Sequence, residues 1–206
     1  MEITIIFSIA ALIMSVVIHE VAHGAVAGLL GDPTARLAGR LTLNPLKHLD
    51  PIGSVVVPAI MALLPGGLIF GWAKPMPYNP FNLRAGQWGP ALVAAAGPAS
   101  NLLLAIFFGL VLRFGLPAGW FGQSTAEFIT LIVFVNLVLM LFNLIPVPPL
   151  DGSKILFACL PYHFRFIEEQ FTRYSLILVI IVIFAASGLI LPITTFFFSL
   201  ITGFNL

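Results

Sequence analysis

Ser15-Val16-Val17-Ile18-His19-Glu20-Val21-Ala22-His23-Gly24 lies inside an apolar run that extends from about residue 3 to residue 29. Twenty or so apolar residues in a helix span a bilayer of about 30 Å, so three ionisable side chains here sit where lipid replaces water. At about 3.6 residues per turn, His19 and His23 face the same way one turn apart, as two ligands of a tetrahedral zinc ion require. Glu20 stands beside them and can act as a base toward water activated by that metal. Ionisable groups at membrane depth point to function by default, although a buried hydrogen-bonded cluster or a proton relay would place the same residues there.

Composition supports a membrane setting for the whole chain. Hydrophobic residues make up 60% of the 206 and charged residues only 8%, and mean hydropathy is strongly positive, which reads as a polytopic membrane protein. A net charge of +1 offers no basic footprint for nucleic acid. The single Cys159 excludes an internal disulfide and a four-cysteine metal site, and reads as a small apolar filler. The start, MEITIIFSIA, has no basic region before its apolar run, so it reads as a membrane helix and not a removable signal. We therefore expect one membrane-embedded domain over 1–206, with a core over 1–160 and a last membrane helix at about 174–200.

Further apolar stretches fall at about 52–71, 91–113, 126–145 and 175–200. All but the first of these are comfortable spans. Pro58, Pro65, Gly66 and Gly67 interrupt 52–71, and broken backbone at membrane depth needs protein or a wet cavity around it. If 52–71 enters and returns on one side, Arg36, Arg40, Lys47, Lys74, Arg84, Lys154, Arg165 and Arg173 all fall on the cytoplasmic side and only Arg113 does not. The charge bias favours re-entry. Between the first span and this segment, Leu37, Leu41 and Leu43 alternate with Arg36, Arg40 and Thr42, a period of two that predicts a short strand on the cytoplasmic side. Such a strand could pair with an unfolded substrate or only cap the bundle. The expected fold is thus an all-α polytopic membrane bundle of about four spanning helices, with a broken re-entrant segment and a short β element.

A catalytic zinc keeps three protein ligands and one open position, so two histidines are not enough. Most of the eight acidic residues lie at expected span ends. Asp151 stands apart in Asn143-Leu144-Ile145-Pro146-Val147-Pro148-Pro149-Leu150-Asp151-Gly152, where three prolines hold the chain extended. Re-entry of 52–71 places this motif on the same side as the histidines. The alternative for Asp151 is a cap on the helix that follows. His19 lies about 15 Å inside its helix while Asp151 follows a full span, so the break at Pro146 must lie below the membrane surface or the helices must tilt.

The HExxH helix, the later N-x-x-P-x-P-P-L-D-G and the intervening Gly97-Pro98-Ala99-Ser100-Asn101 resemble the site-2 protease family of intramembrane zinc metalloproteases. The resemblance implies His19, His23 and Asp151 as ligands of one zinc ion, Glu20 as catalytic acid and base, and Asn143 near the scissile peptide. It also implies cleavage of transmembrane protein substrates within the lipid bilayer. No PDZ or nucleotide-sensing domain and no span before the HExxH helix is visible, as in a minimal branch of the family. Asn101 is a further candidate for substrate contact, with hydrogen bonding between helices as the alternative for both asparagines; Asn136 reads as structural.

The expected location is a prokaryotic cell membrane with the site toward the cytoplasm, reached by water through a cavity near residues 31–90. Oligomeric state is not legible. A transporter of metal or protons could use the same His, Glu and Asp residues, but it would need a path across the membrane and often shows inverted repeats, which this sequence lacks. His48 and His163 read as interfacial, Trp72, Trp88, Trp120, Tyr78, Tyr162 and Tyr174 as interfacial anchors, and Gly24, Gly28 and Gly97 as small residues that let the first and third spans pack closely.

Overall fold

The computed structural model describes residues 2–57, 59–60, 71–161 and 165–205. Helix α1 (Glu2–Leu29) is an unbroken apolar run without proline, and a four-residue helix α2 (Thr34–Leu37) follows. After a long loop come α3 (Gly89–Gly115), α4 (Gln123–Asn143), α5 (Asp151–Cys159), α6 (Arg165–Arg173) and α7 (Ser175–Thr202). Three stretches, Ile5–Leu29, Gly86–Gly115 and Gln123–Asn143, are long and apolar enough to cross a membrane. Within α7, Ile177–Ile183 and Gly188–Thr202 are inclined by 60°, and the pair makes a fourth span if taken as one.

Helix α3 is the axis of the bundle, packing on α1, α4, α5 and α7. One core joins Ala105 and Leu112 of α3, Val133, Leu137 and Met140 of α4, and Phe198 of α7, which is 1% exposed. Lipid tails are as apolar as these side chains, so close packing rather than escape from water holds such a core together. The outer faces carry Ile6, Ile9, Leu103, Phe107 and Phe114, all exposed as a lipid-facing surface requires.

The expected strand over 36–43 is absent, and the described residues contain no strand at all. Asp32 accepts from the Thr34 N–H (3.3 Å) and hydroxyl (2.6 Å), which with Pro33 starts a helical turn. The N–H groups of Gly39 and Arg40 then bond back to Arg36 and Ala35, closing the turn locally. The polarity expected of the strand is also reversed: Leu37 is 81% exposed, whereas Arg40 is 6% exposed and donates through Nη2 to the Lys74 carbonyl at 2.8 Å. A specific backbone acceptor thus outweighs the two-residue pattern.

For the segment at 52–71, residues 58 and 61–70 lie outside the described residues, but its two ends meet. Asp50 caps a π-helical turn over Pro51–Val56 through the N–H groups of Ile52 and Gly53. The Trp72 N–H then donates to the Gly53 carbonyl (3.1 Å), and the Ser54 hydroxyl donates to the Trp72 carbonyl (2.8 Å). The chain therefore leaves and returns at one point. From there residues 71–79 run extended: Lys74 N–H donates to the His48 carbonyl (2.9 Å), and Asn79 N–H donates to Asp32 Oδ2 (2.7 Å). His48 is buried inside this loop, with Nε2–H donating to the Thr42 carbonyl; His163 and Tyr162 lie outside the described residues.

Asp32 ties the end of α1 to the returning loop, since Asn82 Nδ2 also donates to it at 2.8 Å. Burial alone would raise its carboxyl, but the hydrogen bonds from Thr34, Asn82 and Asn79 outweigh burial and hold it below the ordinary carboxylate value. A depressed folded-state value means that the stabilisation is complete above the unfolded value and is lost as pH falls through the folded one. Asp32→Asn should lower the thermal midpoint at pH 7 by the equivalent of about 1–3 kcal/mol. The gap between variant and parent should narrow as pH drops below about 4, which thermal unfolding at pH 7 and pH 3 checks.

Candidate metal centre

Ser15, His19 and His23 lie four residues apart on α1, and Val93, Gly97 and Asn101 lie four apart on α3, so each set forms a ridge along its helix. The helices run antiparallel and the ridges face each other. His19 Nδ1 meets Asn101 Oδ1 at 2.6 Å, His23 Nδ1 meets the Val93 carbonyl at 2.7 Å, and Asn101 Nδ2 reaches the Ser15 carbonyl at 3.4 Å. Gly97 sits between the imidazoles: a Cβ there would lie 2.5 Å from ring atoms of both His19 and His23. Only glycine admits this approach. Gly24 instead faces Leu41, Ala35 and Met76, and a Cβ on Gly28 would meet no neighbouring element within 4 Å among the described residues, so neither brings α1 onto α3 as the small-residue pattern suggested.

The hydrogen-bond network assigns the protons. A carbonyl only accepts, so His23 Nδ1 carries hydrogen and its Nε2 lone pair is free. Asn101 Nδ2 donates to Asn136 Oδ1 (2.8 Å), and Asn136 Nδ2 donates to Ser15 Oγ (3.0 Å) and the Ile132 carbonyl (2.8 Å). Asn101 Oδ1 is therefore an acceptor, and His19 also carries hydrogen on Nδ1. Both Nε2 atoms point away from α3 with a lone pair, as neutral metal-ligating histidines do.

What they point toward is Asp151. Its Oδ2 lies 3.0 Å from His19 Nε2 and 3.2 Å from His23 Nε2. Helix α4 ends at Asn143, and the chain turns through hydrogen bonds from the N–H of Ile145 to Phe142, of Val147 to Ile145 and of Leu150 to Val147, with a cis peptide bond between Pro148 and Pro149. Gly152 packs its Cα against the Leu144 and Ile145 carbonyls, where any side chain would collide. This folded return brings Asp151 to the depth of the histidines, which removes the mismatch between a full-length span and a mid-helix motif. Asp151 is 9% exposed, lies inside the first turn of α5 and, among the described residues, accepts from no backbone N–H, so the helix-cap alternative does not describe it.

The three atoms suit one tetrahedral ion: bonds of about 2.0–2.2 Å to zinc separate neighbouring ligands by roughly 3.3 Å. Glu20 lines the same cavity, of about 140 Å³, and its Oε2 accepts from the Met76 N–H at 2.7 Å. Asn143 lines it too, with Nδ2 donating to the Leu139 carbonyl at 2.9 Å. His19, Glu20, His23, Asp151 and Asn143 are thus brought together. Asn101 is not among the lining residues: it is fully buried behind His19. The sequence reading missed Val93, the Met76 N–H and two further lining residues, Tyr78 and Lys154. The four-residue spacing of Val93, Gly97 and Asn101 against Ser15, His19 and His23 was the signal that could have found the first of these.

A bundle of spanning helices that encloses two histidines, a carboxylate and a spare glutamate is the class of a membrane-embedded zinc metalloprotease. The profile of Peptidase family M50 matches residues 119–186, which include Asn143 and Asp151. The chain is 40% identical over 187 residues to a protein of Bacillus subtilis named "Putative zinc metalloprotease YwhC", covering 88% of this chain and 82% of that one. It is 35% identical over 151 residues to "Putative zinc metalloprotease Rip2" of Mycolicibacterium smegmatis, covering 71% of this chain and 54% of the relative. No solved structure matches significantly. The chain belongs to Peptidase family M50, the site-2 proteases, and is a zinc metalloprotease of the membrane.

Asn101→Ala removes the acceptor that orients His19 while leaving the cavity lining intact. Zinc affinity should fall by about 10–100-fold. Competition with a chromophoric chelator measures this, and Asn101→Asp, which keeps an acceptor oxygen, should retain more of the affinity.

Proposed function

We propose that this protease is an intramembrane endopeptidase that cuts peptide bonds in or near transmembrane segments of other membrane proteins. The observation that carries the reading is the convergence of His19 Nε2, His23 Nε2 and Asp151 Oδ2 beside Glu20, inside the bundle instead of on a soluble domain. His19, His23 and Asp151 would hold the zinc ion. Zinc there would supply Lewis acidity, lowering the pKa of water and polarising the scissile carbonyl.

Glu20 does the proton work. Its Oε2 is fixed by the Met76 N–H, which leaves Oε1 to take a proton from the attacking water as the new carbon–oxygen bond forms. When the carbon–nitrogen bond breaks, Glu20 returns that proton to the departing amine. Asn143, at the cavity wall, orients the scissile peptide and donates toward the developing oxyanion. Asn101 and Asn136 act through His19 by fixing its tautomer.

A substrate helix hides its carbonyls in its own hydrogen bonds, so it must unwind locally before attack, which favours helix-destabilising residues near the cut. The basic residues of the loops support a cytoplasmic orientation for the catalytic end of the bundle. The meeting of Gly53 and Trp72 supports a re-entrant segment between them, and a bacterial cell membrane fits the origin of the relatives.

Glu20→Gln should keep about one zinc per chain and lose cleavage of a reconstituted transmembrane substrate by at least about a thousandfold, the scale of a lost general base together with its later action as acid. Zinc content by elemental analysis and cleavage by gel mobility check the two halves. Unchanged cleavage would refute the assignment of Glu20.

A further inference from the structure

Lys154 is one turn beyond Asp151 on α5, so its side chain lies on the face that carries the carboxylate and lines the catalytic cavity with His19 and Glu20. Its ammonium lies over the Tyr78 ring, 5.1 Å from the centroid, and Tyr78 belongs to the extended segment that also supplies the Met76 N–H to Glu20. Lys154 and Tyr78 together form a boundary: on one side is the catalytic cavity, and on the other a larger groove of about 610 Å³ between the Tyr78–Pro90 loop and the face of α5 bearing Phe157. A polypeptide cut at the cavity and continuing into the groove would cross this boundary alongside the Lys154–Tyr78 pair.

The charges of this passage are unevenly engaged. Asp151 is held between two histidines and Glu20 by a backbone N–H. Glu168 lines the far groove. Lys154 is the cation of the cavity lining, and among the described residues no carboxylate lies within ion-pairing distance of it. Its stem is half-buried and its head rests on an aromatic face, an arrangement that holds a cation in place without neutralising it.

We infer that Lys154 is a specificity-determining residue that pairs with an acidic side chain of the substrate, within a few residues of the scissile bond, on the stretch of chain lying along the groove between Tyr78 and α5. The inference rests on the endopeptidase reading and names the chemistry that reading leaves open. Tyr78 is the positioning partner, presenting the ammonium toward the passage.

The experiment uses the full chain in proteoliposomes with model transmembrane substrates in which Asp, Asn or Lys replaces each residue around the cut in turn. Wild type should cleave the best Asp substrate about fivefold faster in kcat/KM than its Asn counterpart, the scale of one partly exposed ion pair. Lys154→Gln should abolish that preference, Lys154→Arg should keep it, and Lys154→Glu should favour the Lys substrate. Binding of the uncleaved Asp and Asn substrates to Glu20→Gln, read by fluorescence anisotropy, should show the same preference without turnover. An Asp preference that survives in Lys154→Gln, or a flat charge profile while Glu20→Gln abolishes cleavage, overturns the inference alone. Cleavage that persists throughout the series in Glu20→Gln overturns the catalytic reading beneath it.

Discussion

The buried hydrogen bond between His19 and Asn101, at 2.6 Å, is the interaction on which the site depends. An imidazole can offer a lone pair at Nε2 only if hydrogen is kept at Nδ1, and a buried donor or acceptor without a partner costs about 1–3 kcal/mol. Asn101 meets the first requirement because Asn136 and Ser15 take up its other valences. Four buried polar groups from α1, α3 and α4 thus satisfy one another, and the register of three helices is set where the chemistry needs it. Gly97 permits the same register sterically and the Val93 carbonyl repeats the tautomer logic at His23.

A second constraint comes from the long loop. Its returning strand-like stretch spends successive inward N–H groups on Gly53, His48 and Glu20, while Asp32 and Arg40 hold it from below. Pro75 and Pro77 fit because neither supplies one of these donors. The loop is therefore part of the active-site wall: it fixes one oxygen of Glu20 and contributes Tyr78 to the passage beside Lys154. The N–H that fixes Glu20 and the ring that holds Lys154 thus come from one short stretch of chain.

Residue types at fixed spacing made the centre legible. HExxH in an apolar helix needed only the helical period to suggest two ligands, and the proline-rich break before Asp151 could not continue α4, so a third candidate was visible without coordinates. The helical spans were legible for the same reason, because length and hydropathy are local properties. The strand over 36–43 was misread because its alternation of Leu and Arg carries no information about a distant acceptor: the Lys74 carbonyl buries Arg40 and leaves Leu37 outside. Asn101 was legible as a polar group in a bundle, but its direction, toward His19 and away from the cavity, depends on how α3 faces α1. Tyr78 looked like an interfacial anchor for a similar reason, since composition cannot say which wall an aromatic ring joins.

X-ray absorption at the zinc edge on the purified, membrane-reconstituted protein tests the central claim most directly. The account predicts one zinc per chain bound by two imidazole nitrogens with oxygen completing the shell, and loss of one imidazole contribution in His23→Ala. A sulfur scatterer, which only Cys159 or a methionine could supply, or an unchanged spectrum in both His19→Ala and His23→Ala, would contradict it.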